Sequence, residues 1–449
     1  MKKHWLLLLL SAGSMLWATS MFAQHDNLVN VSAEFMRTGG RTAALDAADI
    51  AVYNPAGLVH LEDGFHINLA NQSVFRSPSH TFAFPIGTPE VTYEQASPDL
   101  LLPNLYLAYV KNRLALFGGV YISGGGGSLD YPEGSINTDL IILQIQSMVL
   151  IPPDITYGMF YGGGEGKILA SSFYITPMAG VSLGITEKLS AALGVRYLMA
   201  TNTQEAEVKF TQQITQPPIP LPTEFRLEST DKASGFAFTG SVNYRFSENF
   251  NLAVRYETKA TLEFETDSIQ DDFGIIQDGA LARRDLPASL SAGASFNLTE
   301  NLSALLDFGW YFQKQADWDV NQKDQEWSEL AGDVGRFGVG LGYGIGDLLT
   351  LNGWWGYTLY QYEDRPAYYN KLGVFETVKS SNWTLGLGGK LSLGDRLDIN
   401  LAVSQTLWTK DDVVEMTFPA ALPDPTYDVK INNSITAVAL GLNLRLGGE

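Results

Sequence analysis

The chain has 449 residues, a formal net charge of −20 and no cysteine. The missing cysteine excludes a disulfide framework and a lipid anchor on an N-terminal cysteine. The acidic balance speaks against a nucleic-acid partner, which needs a basic surface. Mean hydropathy is −0.01, and no apolar run beyond the N-terminus is long enough for a membrane-spanning helix.

The first element is a secretory signal, residues 1–23. Lys2 and Lys3 precede an apolar stretch from Trp5 to about Phe22, and cleavage is expected after Ala23. Residues 24–64 follow without alternation, and the run from Gly39 to Asp49 is rich in small residues. From residue 65 to 449 the pattern changes to about fourteen short segments of alternating apolar and small or polar residues. This is the pattern of an all-β transmembrane antiparallel barrel.

Six tight connections are read near Lys111-Asn112, Thr186–Lys188, Ser247–Asn249, Thr299–Asn301, Gly346-Asp347 and Gly394–Arg396. Long loops are expected at 85–100, 124–170, 206–228, 267–284, 319–334, 364–380 and 410–429. The third strand is expected from Arg113 to Ser123. It holds Gly118-Gly119 and runs into Gly124–Gly127, and glycine weakens a strand and permits a bend. The following loop carries the most apolar internal stretch, 140–151, with Leu140, Ile141, Leu143, Met148 and Leu150 as candidates for a greasy ligand groove.

Later strands show the pattern most clearly. Phe236, Phe238, Val242, Tyr244 and Phe246 alternate with Ala237, Thr239, Ser241, Asn243 and Arg245; Val438, Leu440 and Leu442 alternate with Ala439, Gly441 and Asn443. Arg196, Arg245, Arg255, Asp307, Lys390 and Arg445 all fall on the inner row. An Arg facing lipid at mid-depth would cost about 2–4 kcal/mol. The acids of the expected outer loops, such as Asp267, Asp271 and Asp272, read as a solvated surface, with divalent-cation bridging to anionic lipid headgroups as the alternative.

A barrel of this size has a lumen wider than its own side chains fill, so residues 24–64 read as a plug. Here the residues carry a resemblance. Gly39-Gly40-Arg41-Thr42-Ala43, Ala47-Ala48-Asp49 and Tyr53-Asn54-Pro55-Ala56-Gly57-Leu58 resemble the hatch of the outer-membrane long-chain fatty-acid transporter family (FadL type). Leu102-Pro103-Asn104 and Asp285-Leu286-Pro287 resemble it too. The resemblance implies a monomer in the bacterial outer membrane, inserted by the barrel assembly machinery among lipids and lipopolysaccharide. Its hatch motif would be Asn54, Pro55, Ala56 and Gly57. Its cargo would be a long-chain fatty acid or another hydrophobic small molecule. This cargo would be bound in an outer groove, passed to a pocket and released sideways through a kink in the third strand. The kink candidates are Gly118, Gly119, Gly124, Gly125, Gly126 and Gly127. One departure is the ending Leu446-Gly447-Gly448-Glu449, where such barrels usually end on an aromatic residue.

No enzyme is expected. Beyond the signal the histidines are His25, His60, His66 and His80. None forms a nucleophile–base set or a metal spacing, and no cofactor or metal is implied. The alternative functions are a nonspecific porin and a surface adhesin barrel.

Overall fold

Strand residues that alternate between apolar and small or polar give a sheet one greasy face and one tight, partly polar face. In the computed structural model that sheet closes on itself with the greasy face outward. The structure describes residues 28–447 except 83–89, 97, 140, 143–163, 211–223, 275, 319–326, 373–375, 411 and 418–425. The result is a closed antiparallel barrel of 14 strands. In chain order they are β1 (Gly64–Arg76), β2 (Asp99–Lys111), β3 (Leu114–Tyr131), β4 (Gly164–Gly184), β5 (Leu189–Phe210), β6 (Glu224–Ser247) and β7 (Phe250–Glu257). The circuit continues with β8 (Ser289–Asn297), β9 (Leu302–Tyr311), β10 (Val334–Ile345), β11 (Leu349–Tyr360), β12 (Asn382–Leu393), β13 (Leu397–Trp408) and β14 (Ser434–Leu446). Each pairs with its chain neighbours, and β1 closes on β14 with Leu69 opposite Leu442.

Exposure follows parity. On β5, Leu193 is 70% exposed while the adjacent Ala192 is 4%. On β12, Leu387 is 65% exposed. Rings of exposed Leu, Val, Phe and Tyr around a closed sheet do not suit water; they suit the hydrocarbon band of a membrane barrel. Among the described residues no helix is long and apolar enough to cross a membrane.

All six expected tight connections join barrel strands at one end. The other end departs from the expected loops. Segments 124–131, 164–170, 206–210 and 224–228 are strand, not loop, so the third strand runs to Tyr131 rather than Ser123. β6 has 24 residues, about 80 Å at about 3.3 Å per residue, far more than a bilayer requires. Beyond the lipid band its outer face turns charged. Glu207 stands opposite Lys167 and Arg226, and Lys209 opposite Glu224. A hairpin, Glu263–Asp271 with Leu281–Arg283, extends this sheet. Above β1 and β14 a separate four-stranded sheet orders Asp412–Thr417, Thr426–Asn432, Ser79–Phe82 and Val91–Glu94.

The inner row holds its predicted charges. Arg196, Arg255 and Asp307 are buried, and Arg445 pairs with Asp398 at 3.3 Å. The same parity gives a test of the lipid-facing assignment. Leu193→Arg should lower the unfolding free energy of the reconstituted barrel by about 2–4 kcal/mol, measured by denaturant titration in liposomes. A change below about 0.5 kcal/mol would place Leu193 outside the hydrocarbon band.

Candidate functional site

The N-terminal segment lies against the inner wall, and its own short-range chemistry shapes it. Ser32 caps helix α1 (Ala33–Thr38), its Oγ accepting from the Phe35 N–H at 3.0 Å. Gly39 ends the helix in the left-handed region, at φ 78°. Asp49 then ties the fold of the segment together: it accepts from Ser32 Oγ at 2.8 Å and from Arg41 Nε at 3.0 Å. Helix α2 (Ile50–Tyr53) follows, then a 3-10 turn over Pro55–His60 that begins with proline, whose missing N–H costs nothing there.

Wall side chains hold this segment on all sides. Glu34 Oε1 accepts amide N–H bonds from Asn68 on β1, Asn443 on β14 and Asn400 on β13, at 2.8, 2.8 and 2.9 Å. Trp354 on β11 donates to the Met36 carbonyl at 2.7 Å. The Thr42 N–H donates to Asp307 on β9 at 2.9 Å. In the expected hatch motif, Asn54 donates to Asn243 on β6 at 2.9 Å and to the Ala44 carbonyl at 3.1 Å. The Ala56 N–H donates to Ser241 at 2.9 Å, and the Ala56 carbonyl accepts from Ser190 at 2.6 Å. Gly57 packs so closely that a Cβ would lie 2.5 Å from Asn54 Nδ2.

Between β2 and β3 the wall itself is broken. Pairing of β2 with β3 runs from Lys111–Leu114 to Asn104–Tyr121 and stops there. β3 continues against β4 alone, with register shifts between Ile122 and Gly124 and between Gly124 and Gly127. Gly125 sits at φ 99° and Gly127 at φ 76°, the left-handed region that glycine occupies without strain. Gly126 lies in the same stretch of β3. On the facing edge, β2 bulges outward: Gln72 pairs with Leu102 and Val74 with Asp99, so Leu100 and Leu101 stand against Ser73 alone. Leu101 is 76% exposed, the highest value among the large apolar side chains described.

Backbone groups freed by such a break must find partners, because lipid offers none. The Ser123 carbonyl accepts from the Leu28 N–H at 2.9 Å. At the β2 bulge, on the side of β1, the Leu100 carbonyl accepts from Asn71 Nδ2 at 3.1 Å and Ser73 Oγ at 2.8 Å. Above the break, the Asp99 carboxylate accepts from the Ser128 N–H at 3.1 Å and pairs with Arg76 on β1. The Ala96 N–H donates to the Asp130 carbonyl at 2.8 Å. The break is thus a window with a lintel, rather than a slot open to the outer end.

Behind the window lies a cavity of about 300 Å³, with Leu102, Asn104, Ile122, Gly125 and Leu129 at the window side and Val29, Phe35 and Met36 from the N-terminal segment. Gly124–Gly127 therefore meet the break. Gly118 and Gly119 do not: they pair with Leu107 and Tyr106 on one side and Ala179 and Met178 on the other. A Cβ on Gly119 would lie 2.7 Å from the Leu105 carbonyl oxygen, so glycine there serves close packing, and of the two stretches expected to permit a bend this one stays within the ladder. Of the expected groove residues, Leu140, Leu143, Met148 and Leu150 lie outside the described residues. Ile141 is buried with Ile142, Val208 and Phe210, away from the cavity.

Asp99, Asn71, Ser73 and Leu28 were not legible as site residues. Asn71 and Ser73 did leave a trace, since they interrupt the outward row that includes Phe65, Leu69 and Phe75. Among the described residues no cluster of His, Asp and Glu could hold a metal. His80 lies in the outer sheet with Nδ1 3.3 Å from the Tyr131 hydroxyl, and burial lowers its pKa to about 4.

No family model and no curated protein matches this sequence. Solved structures do match in fold. A Pseudomonas aeruginosa FadL homologue aligns with a TM-score of 0.67 at 13% identity, covering 94% of this chain and 100% of that one. The P. putida toluene transporter TodX aligns with a TM-score of 0.58 at 15% identity, covering 91% and 97%. The CymD monoaromatic hydrocarbon channel aligns with a TM-score of 0.55 at 13% identity, covering 94% and 99%. At these identities the likeness is one of fold.

The lintel can be tested on the backbone directly. Asp99→Ala removes the acceptor of the Ser128 N–H, so amide exchange at Ser128 should speed up about tenfold, the equivalent of about 1.4 kcal/mol. Exchange at Gly118, in the intact ladder, should not change. Unchanged exchange at Ser128 would show that Asp99 does not close the window.

Proposed function

We propose that this barrel, which shares its fold with the FadL homologue and the hydrocarbon channels, carries hydrophobic small molecules across a bacterial outer membrane and releases them sideways into the bilayer. The observation that carries the reading is the window between β2 and β3, with a cavity directly behind it. A hydrophobic molecule gains about 0.8 kcal/mol per buried CH₂ on entering lipid, so the bilayer is a sink. The obstacle is the polar layer outside it. The strands that project beyond the lipid band, together with the outer sheet, provide a passage through that layer, and the window then opens at membrane depth.

In this reading residues 28–61 are the hatch. Their bonds to the wall, Asn54 to Asn243 among them, block an open pore. That favours a selective transporter over a nonspecific porin. Long-chain fatty acids and aromatic hydrocarbons both fit the window's apolar edge.

Liposomes containing the protein should take up a hydrophobic tracer and exclude sugars; swelling in sugar solutions would favour the porin. Gly125→Val gives the sharper test. Valine is strained at φ 99°, and its Cβ would lie 2.2 Å from the Ser172 carbonyl oxygen. The bulge must then be rebuilt, and uptake should fall at least about fivefold with the amount of inserted barrel unchanged. Full uptake by a correctly inserted Gly125→Val protein would contradict release through this window. Asn54→Ala should likewise impair uptake while leaving the barrel resistant to heat and denaturant, and normal uptake would remove the motif's role.

A further inference from the structure

The cavity behind the window adjoins a smaller chamber of different character. That chamber, about 60 Å³, lies between the N-terminal segment and inward-facing positions of β5, β7, β9 and β10. Its lining carries three guanidinium groups, Arg196, Arg255 and Arg336, against two carboxylates, Glu257 and Asp307. Arg196 and Arg255 share Glu257, and Arg336 pairs with Asp307 at 3.4 Å. The lining among the described residues is thus one positive charge in surplus, and a buried surplus cation attracts any anion that can reach it.

Five residues line both spaces: Leu28, Val29, Val31, Phe35 and Arg336. Four of them are apolar and come from the N-terminal segment, and Phe35 is the largest of the four. Its ring covers the Arg336 guanidinium, whose carbon lies 4.4 Å from the ring centre. The ring is also stacked on Tyr53 at 5.4 Å and meets Trp354 edge-on at 6.4 Å. The Tyr53 hydroxyl in turn donates to the Val29 carbonyl at 2.8 Å and accepts from the Val31 N–H at 2.9 Å. One tyrosine therefore ties the partition together.

On the cavity side of this partition an anion finds little. Arg76 is bound to Asp99, and Lys379 has interactions of its own. A carboxylate entering there would lose its water without gaining a partner. We propose that Phe35 is a specificity-determining residue: its ring hides the guanidinium chamber, so that the cavity takes uncharged hydrophobic molecules and rejects carboxylates. This rests on the reading of the cavity as the cargo site.

The test uses the full-length barrel in lipid nanodiscs, titrated with toluene and benzoate at neutral pH, each corrected against empty nanodiscs. The wild-type barrel should bind toluene at least about tenfold more tightly than benzoate. Phe35→Ala uncovers the chamber, so benzoate affinity should rise about tenfold, the gain of a charge-assisted hydrogen bond, while toluene affinity does not rise. Phe35→Leu keeps an apolar side chain over the chamber and should keep the wild-type preference. Arg255→Gln added to Phe35→Ala removes the surplus charge and should abolish the gain. Should Phe35→Ala fail to fold, Val29→Ala thins the same partition and is expected to act in the same direction. Equal affinities or tighter benzoate in the wild type, a folded Phe35→Ala protein with unchanged benzoate affinity, or a gain that survives Arg255→Gln would overturn the inference and leave the cavity as the cargo site. Saturable binding of neither compound would overturn both.

Discussion

Lipid supplies no hydrogen bonds, and this constraint organises the whole molecule. Each backbone N–H and C=O at membrane depth needs a partner within the protein, which is why the sheet closes, with β1 meeting β14. It also governs how the sheet can be interrupted. Between the last β2–β3 pair, Asn104–Tyr121, and the Asp99–Ser128 contact, the ladder is missing. The exposed groups are taken up one at a time. The N-terminal segment takes the Ser123 carbonyl, and a carboxylate takes the Ser128 N–H. The hatch and the window are therefore one construction: remove the segment and a rim carbonyl loses its partner.

The lumen imposes a second requirement. A barrel of this width must be filled or stay open. The segment that fills it is held by many separate hydrogen bonds, each contributing about 0.5–1.5 kcal/mol net between neutral groups and about 1.5–3 kcal/mol where a charged group takes part, and these come from strands all round the circuit. Its close fit explains much of the inner row. At Gly340 a Cβ would lie 2.2 Å from the Thr38 carbonyl oxygen, and at Gly388 2.9 Å from Arg37 Cγ. Small residues on the inner face thus make room for the segment, while the outer row of the same strands stays large and apolar.

The sequence was most legible where one rule acts alone. Strict alternation gave the strands and their facing, and Asn, Asp, Gly and Ser gave the short turns. The long extensions of β3–β6 were hidden because outside lipid both faces of a strand can be polar. A run such as Glu205–Lys209 then reads as loop although it pairs throughout with β4 and β6. The break was narrowed to glycine-rich stretches but not to one of them. Gly118-Gly119 and Gly124–Gly127 look alike in composition, and only the neighbours distinguish packing from bending. The polar part of the cavity's lining was not legible at all, since Thr384, Ser404 and Thr406 are ordinary inner-row residues until the barrel closes around the cavity.

The central claim is that cargo leaves through the gap between β2 and β3. Because the chain has no cysteine, a pair of cysteines can be placed across the gap at Leu102 and Ser123 and joined with a reducible crosslinker. A control pair at Leu107 and Gly118 spans the intact ladder. The account predicts that uptake of a hydrophobic tracer stops when the gap is crosslinked, returns on reduction, and is unaffected in the control. Undiminished uptake through a fully crosslinked gap would contradict it.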